Sequence, residues 1–330
     1  MVDALDSKSS FERSGGSSPL SGTKMEILKN KIIVICGPTA TGKSDFAVQI
    51  AKQIEDLNLA VGRGEIISAD SRQVYKGLDI GSGKITTEEM CGIPHHLLDI
   101  TGPQNVVSVD QYKRLAHKKI KEIIERGNIP ILCRGTGFYI DAVTKGMSFP
   151  EVPPNKELRT ELEQKTTEEL FAQLEALDTE RAKNIDTKNR VRLIRAIEIA
   201  EALGYVPEIK SESPYDTLFI GLDLPDEILK EKIRIRLFAR ISPMLEEIKN
   251  LNENGLSWKR MIALGLEYRY GAMCVKGKIS KEEMISKLQT EIWKYAKRQR
   301  TWFKRNKKIM WIDPRNENKE ILEKIKEFIK

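Results

Sequence analysis

The sequence predicts an α/β fold, a doubly wound parallel sheet with a helical insertion domain and a helical C-terminal region. Three observations carry that expectation. Apolar runs the length of buried strands, such as "IIVIC" at 32–36, alternate with stretches of helical period through the first half of the chain. From about Met147 to Tyr205 strand-like runs disappear, beginning at the chain-breaking "FPEVPP" (149–154), and polar helical patterns take over. Past Pro225 the pattern is helical almost to the end.

The elements follow in order. Residues 1–24 are rich in Ser and Gly and lack the apolar centre of a secretory signal. They read as a disordered leader, an expression remnant, or sequence upstream of a true start at Met25. "KIIVIC" (31–36) is the first strand, and a helix starts near Lys43 with Phe46, Ala47, Ile50, Ala51 and Ile54 on one face. "EIISAD" (65–70) is a second buried strand. The helix at 109–127 carries the stripe Tyr112, Leu115, Ala116, Ile120, Ile123 and Ile124 and ends at Gly127. "IPILCRGTG" (129–137) is a strand running into a Gly-rich turn, "TLFIGLDL" (217–224) another, and "WIDP" (311–314) a last short one. The domains expected are a core of 25–146 plus 206–330 and an insertion at 147–205.

Composition excludes several classes. At 330 residues, 40% hydrophobic and 31% charged, the chain has enough apolar residues for a sizeable core. No run of 18 apolar residues exists, so no membrane-spanning helix is expected. Four cysteines without C-x-x-C spacing read as reduced thiols of a cytoplasmic protein. Three histidines give a zinc or Ser-His-Asp enzyme little to build on, and His95 and His96 read as structural. The net charge of +7 hints at a polyanionic partner.

"GPTATGKS" (37–44) matches the phosphate-cradling P-loop, with a strand before it and a helix after it, and makes the expected core P-loop NTPase-like. Gly37, Pro38, Thr39, Ala40, Thr41, Gly42, Lys43 and Ser44 would hold a diphosphate on backbone N–H groups and the Lys43 charge. The Ser44 hydroxyl would ligate Mg²⁺. A motor ATPase also needs a carboxylate at the end of a neighbouring strand. "IPILC" ends instead in Arg134-Gly135-Thr136-Gly137. The second strand does end in a carboxylate, Asp70, on the side where such sheets bind ligands. Position alone leaves it as metal ligand, general base or cap. Gly77, Gly81 and Gly83 beside Lys84 suggest a second close-approach loop. "YAKRQRTWFKRNKK" (295–308) interleaves cations with aromatics, either an RNA surface or a solvated helix with Trp302 in the core.

Together these stretches resemble the tRNA dimethylallyltransferase (tRNA isopentenyltransferase) family. The matching pieces, in family order, are "GPTATGKS", "ISADSRQVYKGLDIGSGK" (67–84), "GIPHHLLDI" (92–100), "SVDQY" (108–112), "GTGFYIDAV" (135–143), "NRVRLIRAIE" (189–198) and "YAKRQRTWFKR" (295–305). The resemblance implies that the loop holds dimethylallyl diphosphate with Mg²⁺, consuming no nucleoside triphosphate. The prenyl group would pass to the exocyclic amine of the adenosine 3′ of the anticodon. On family positions, Asp70 would take the amine's proton, and Lys43, Ser44 and Arg236 would complete the catalytic set. Thr39, Asp70, Ser71, Arg72, Gln73, Thr136, Arg192, Arg195, Gly265, Lys297, Arg298, Gln299, Arg300, Trp302 and Arg305 would meet the tRNA. The implied partner is the anticodon stem-loop, with the target base flipped out and the insertion over the stem. A monomer is expected.

The chain departs from the family pattern in four places. Arg134 replaces the first glycine of a Gly-Gly-Thr-Gly loop, and Leu266-Glu267 follow Gly265 where a tyrosine is usual. Arg240 stands where a methionine is common, and Ser242-Pro243 replace a glycine. An isopentenyltransferase of free adenine nucleotides, a P-loop small-molecule kinase and a non-catalytic tRNA-binding protein are the competing readings.

Overall fold

The computed structural model describes residues 30–56, 62–316 and 319–330; the leader expected over 1–24 lies outside the described residues. One all-parallel sheet contains β1 (Lys31–Cys36), β2 (Gly64–Ser68), β3 (His95–His96), β4 (Ile129–Cys133), β5 (Asp216–Leu222) and β6 (Met310–Ile312), in the order β3-β2-β4-β1-β5-β6. Every residue of β2 and β4 is buried, which is why these strands read as unbroken apolar runs rather than alternating ones. The predicted second strand stops at Ser68, two residues early, because Asp70 turns the chain with its own carboxylate. The two-residue strand β3 was not expected. Its histidines pair with Ile66 and Ile67 of β2, a register too short to leave a periodic signal.

Helix α1 (Lys43–Asp56) buries Phe46, Ala47, Ile50, Ala51 and Ile54, the predicted stripe. After the single turn α2 (Thr87–Met90), helix α3 (Val109–Glu125) starts on the Ser108 cap, buries Tyr112, Ala116, Ile120 and Ile123, and ends before Gly127 at φ 73°. Helix α4 (Gly137–Thr144) follows β4.

The chain divides into two compact units, one of 1–140 with 215–330 and one of 141–214, the latter wider than the 147–205 segment read from sequence. The extra residues belong because its two ends hold each other: Ser148 N–H donates to Lys210 O (2.9 Å) and Ser213 Oγ to Thr144 O (2.8 Å). The unit contains α5 (Lys156–Leu162), α6 (Thr167–Leu177), α7 (Thr179–Lys183) and α8 (Arg190–Leu203), around Leu162, Leu170, Leu174 and Leu193.

The larger unit continues beyond β5 with α9 (Asp226–Glu253), α10 (Trp258–Leu264), α11 (Leu266–Val275), α12 (Lys281–Phe303) and, after β6, α13 (Lys319–Ile329). Since all strands run one way, the loops after β1, β2, β4 and β5 open on one edge of the sheet. No helix among the described residues is long and apolar enough to cross a membrane.

Candidate active site

The loop after β1 has the backbone of an anion cradle. Gly37 stands at φ 135°, and a Cβ there would lie 2.2 Å from Leu222 O, so only glycine fits. Ala40 (φ 65°) and Gly42 (φ 86°) complete the turn, and α1 begins at Lys43 with its N–H groups toward the loop. Thr41 Oγ1 donates to Pro38 O at 3.0 Å, and Lys43 Nζ donates to the same carbonyl. Burial lowers the Lys43 ammonium to about 8, and nearby Arg134 and Arg236 push the same way.

Two side chains lash this loop to its neighbours. Gln299 of α12, only 6% exposed, accepts from Thr39 N–H (2.8 Å) and donates to Gly135 O (2.9 Å). Thr136 Oγ1 accepts from Ser71 N–H (3.1 Å), and Thr136 N–H donates to Ala69 O (3.2 Å). The loops after β1, β2 and β4 therefore form one hydrogen-bonded frame.

Asp70 occupies that frame. Its Oδ1 accepts from Arg72 N–H (2.8 Å) and Gln73 N–H (3.4 Å), which is the local turn cap left open by sequence. No hydrogen bond reaches Oδ2 among the described residues, so the carboxylate caps with one oxygen and offers the other. Tyr112, Tyr139 and Tyr295 lie within electrostatic reach of Asp70, and burial pushes all three phenols up. Tyr112 and Tyr139 stack at 4.0 Å between ring centres.

Arg236 of α9 comes to the same place and donates to Gly83 O at 3.4 Å. Burial lowers it to about 10, with Arg240 and Arg134 contributing. Arg240, one turn on, donates to Ile80 O at 3.0 Å. Burial pushes the Glu267 carboxyl up, and Arg240 and Arg236 pull it back. Two departures from the expected pattern thus offset each other electrostatically: the acid at 267 raises the Arg240 guanidinium, and the cation at 240 lowers the Glu267 carboxyl. Their spacing to Arg236 and Gly265 was visible in sequence, but their mutual proximity was not.

A carboxylate does follow β5, the strand paired to β1. Asp223 Oδ1, however, accepts from Arg300 Nε (3.1 Å), Arg300 Nη2 (2.9 Å) and Leu224 N–H (2.9 Å), so it is engaged as a structural tie. No three His, Cys, Asp or Glu side chains among the described residues converge to hold a metal. That donor set fits an ion carried on a diphosphate, where one hydroxyl such as that of Ser44 suffices beside phosphate oxygens and water.

The residues expected to meet tRNA separate into two groups. Lys297, Arg298 and Arg305 are exposed on or just beyond α12. Lys297 lies 5.7 Å from the Trp293 ring, Arg298 5.9 Å from Tyr295 and Arg305 5.2 Å from Trp302. Trp302 is half-buried, edge-on to Phe138 and against Gly137, between the two roles the sequence allowed. Arg192 is exposed on α8.

Other members of that set serve the framework in this structure. Gln73 is fully buried and donates to Gly83 O (3.0 Å); Arg72 Nε donates to Leu264 O (2.6 Å) beside Gly265. Gln299 holds the loops, and Arg300 also reaches Asp226 (2.6 Å). Arg195 pairs with Glu198, itself 2% exposed, and donates to Val152 O (2.8 Å). Helical periodicity could have separated Gln299 from Lys297 and Arg298, since Ala296, Gln299 and Phe303 share the buried face.

Arg134 is the strained residue of the site. It stands at φ 135°, where L side chains rarely sit and where the cost is about 1–3 kcal/mol.

The strand-end loops of this parallel α/β sheet thus bring together the glycine-bearing turn after β1, the cations Lys43 and Arg236, and the Asp70 carboxylate, the groups that a transferase of a charged donor would need. The IPP transferase family model matches residues 73–306, and the chain belongs to that family. It is 42% identical to tRNA dimethylallyltransferase 2 of Treponema denticola, over 86% of this chain and 96% of that one. The protein of that name from Trichlorobacter lovleyi is 40% identical, over 86% and 92%. Among solved structures, the tRNA isopentenylpyrophosphate transferase of Bacillus halodurans matches with TM-score 0.67 and 34% identity, covering 91% of this chain and 96% of that one. A eukaryotic dimethylallyltransferase acting on tRNA matches with TM-score 0.73 and 25% identity, covering 86% and 74%.

Proposed function

We propose that the chain transfers a dimethylallyl group from dimethylallyl diphosphate to the exocyclic amine of the adenosine 3′ of the anticodon in tRNA, releasing diphosphate. The observation that carries this reading is the hydrogen-bonded frame through Gln299 and Thr136, which sets the 37–44 loop and Asp70 at one site.

The chemistry follows from the residues. An aromatic amine is a weak nucleophile, so it gains from a carboxylate that accepts its proton as the C–N bond forms. The second oxygen of Asp70 does this while the first keeps the turn. The C–O bond to diphosphate breaks with positive charge on the allylic carbon and negative charge on the departing oxygens. Lys43 and Arg236 meet that charge where water is excluded, and preorganised cations act strongly there. Ser44 would hold a magnesium ion beside the diphosphate, where the ion would add charge neutralisation.

On the RNA side, Lys297, Arg298 and Arg305 offer cations stacked on indole and phenol rings, a surface for an unstacked loop. The 141–214 unit offers Arg192 to the anticodon stem. The protein acts as a monomer in the cytoplasm, a reading that agrees with four free cysteines and relatives named for tRNA modification. Transfer to free adenine nucleotides would leave the basic face of α12 without a use. A kinase would need the Asp223 carboxylate that Arg300 holds.

The test offers labelled dimethylallyl diphosphate to the protein with unmodified tRNA, with AMP, and with ATP alone. Label in tRNA supports the proposal. Label in AMP only, or phosphate release from ATP without prenyl transfer, refutes it.

A further inference from the structure

Arg134 should not be an arginine on backbone grounds. At φ 135° it occupies the conformation that Gly37 takes in the facing loop, where glycine alone is free of strain. Its own N–H donates to Ile35 O at 3.2 Å, and the next residue, Gly135, lies against Gly37 O, so the position is pinned beside the anion cradle. Among the described residues, the half-buried guanidinium has no hydrogen-bond or ion-pair partner. It sits near enough to Lys43, Arg236 and His95 to lower the pKa of each. An unpaired cation, placed among other cations on a strained backbone, destabilises the fold three ways. Such strain collects where a site uses it.

We propose that Arg134 is a diphosphate-binding residue, adding its guanidinium to Lys43 and Arg236 on the donor's diphosphate. Bound diphosphate supplies the charge that the surroundings of Arg134 lack. A planar guanidinium suits two phosphate oxygens at once, which a lysine does not. The inference rests on the donor reading above and names a further residue for it.

Calorimetric titration of the full-length protein with inorganic pyrophosphate and magnesium tests it, using R134G, R134A and R134K. Removing a charge-assisted hydrogen bond weakens pyrophosphate binding by about 10- to 100-fold in R134G and R134A, and by less in R134K. Thermal unfolding of the same proteins reads the strain. R134G melts above both wild type and R134A, because it alone removes the Cβ at positive φ. Higher stability with weaker binding is an outcome that a packing role would not produce. Wild-type pyrophosphate affinity in R134G, or a loss confined to tRNA binding, overturns the inference while leaving prenyl transfer standing. Failure of the wild type to bind pyrophosphate overturns both. R134K decides the matter if R134G fails to fold, since wild-type affinity there contradicts a guanidinium contact.

Discussion

Asp70 gives one oxygen to the turn, and in the proposed reaction the other takes the proton of the amine. Asp70→Asn keeps Oδ1 as acceptor for the Arg72 and Gln73 amides but removes the proposed base. The expected result is a kcat lower by about 10²–10⁴-fold. Its melting temperature and tRNA affinity should stay close to wild type, measured by single-turnover transfer, thermal unfolding and filter binding. An active Asn variant would remove Asp70 from proton transfer. Gln299 makes the matching structural prediction. Gln299→Leu leaves the Thr39 N–H and Gly135 carbonyl without their partner, which costs about 1–3 kcal/mol. Denaturant unfolding measures that, and the affinity for diphosphate falls with it because the 37–44 loop loses its tie.

Helix α12 shows how one element serves two faces. Its buried side, Met284, Leu288, Ile292, Ala296, Gln299 and Phe303, packs inward and reaches the site. Its other side presents Lys297 and Arg298. Replacing both with Ala is expected to weaken tRNA binding and to flatten its dependence on log salt by about 1–2, roughly one for each phosphate no longer neutralised. Binding measured across a salt series checks this; an unchanged slope would make these cations bystanders. Composition announced the basic run, but a string of cations does not say which are committed. Arg195 belongs to Glu198, and Arg300 to the Asp223–Asp226 tie, which reaches across 77 residues to Asp223. A tie of that span leaves no periodic trace in sequence. Strands and long helices were legible because burial on both faces, or one, imposes a pattern on neighbouring residues. The candidate site was legible where a loop's backbone demands particular residue types, as at Gly37, and opaque where side chains distant in sequence come within electrostatic reach, as at Arg240 and Glu267.

Across the whole molecule, stability and function draw on different charges. Glu65 is 2% exposed. Burial alone would raise its carboxyl, yet hydrogen bonds from Arg126, Asn128 and His96 overcome this and hold it at about 2. A carboxyl depressed in the fold contributes stability above its unfolded value of about 4.3, and that contribution is lost as pH falls toward 2. Urea unfolding from pH 7 to pH 3 should show this loss in wild type and less of it in Glu65→Gln, which is also weaker at pH 7. At the site the cations are the reverse case: burial and neighbouring cations lower Lys43 and Arg236, a cost that the proposed diphosphate donor would offset. The most direct test is to digest tRNA after reaction with dimethylallyl diphosphate and locate the added mass by nucleoside and fragment mass spectrometry. One dimethylallyl group is expected on the exocyclic amine of the adenosine 3′ of the anticodon, with far less of it formed in the same time by the Asp70→Asn protein. Modification elsewhere in the tRNA, or an equal yield with Asp70→Asn, would contradict it.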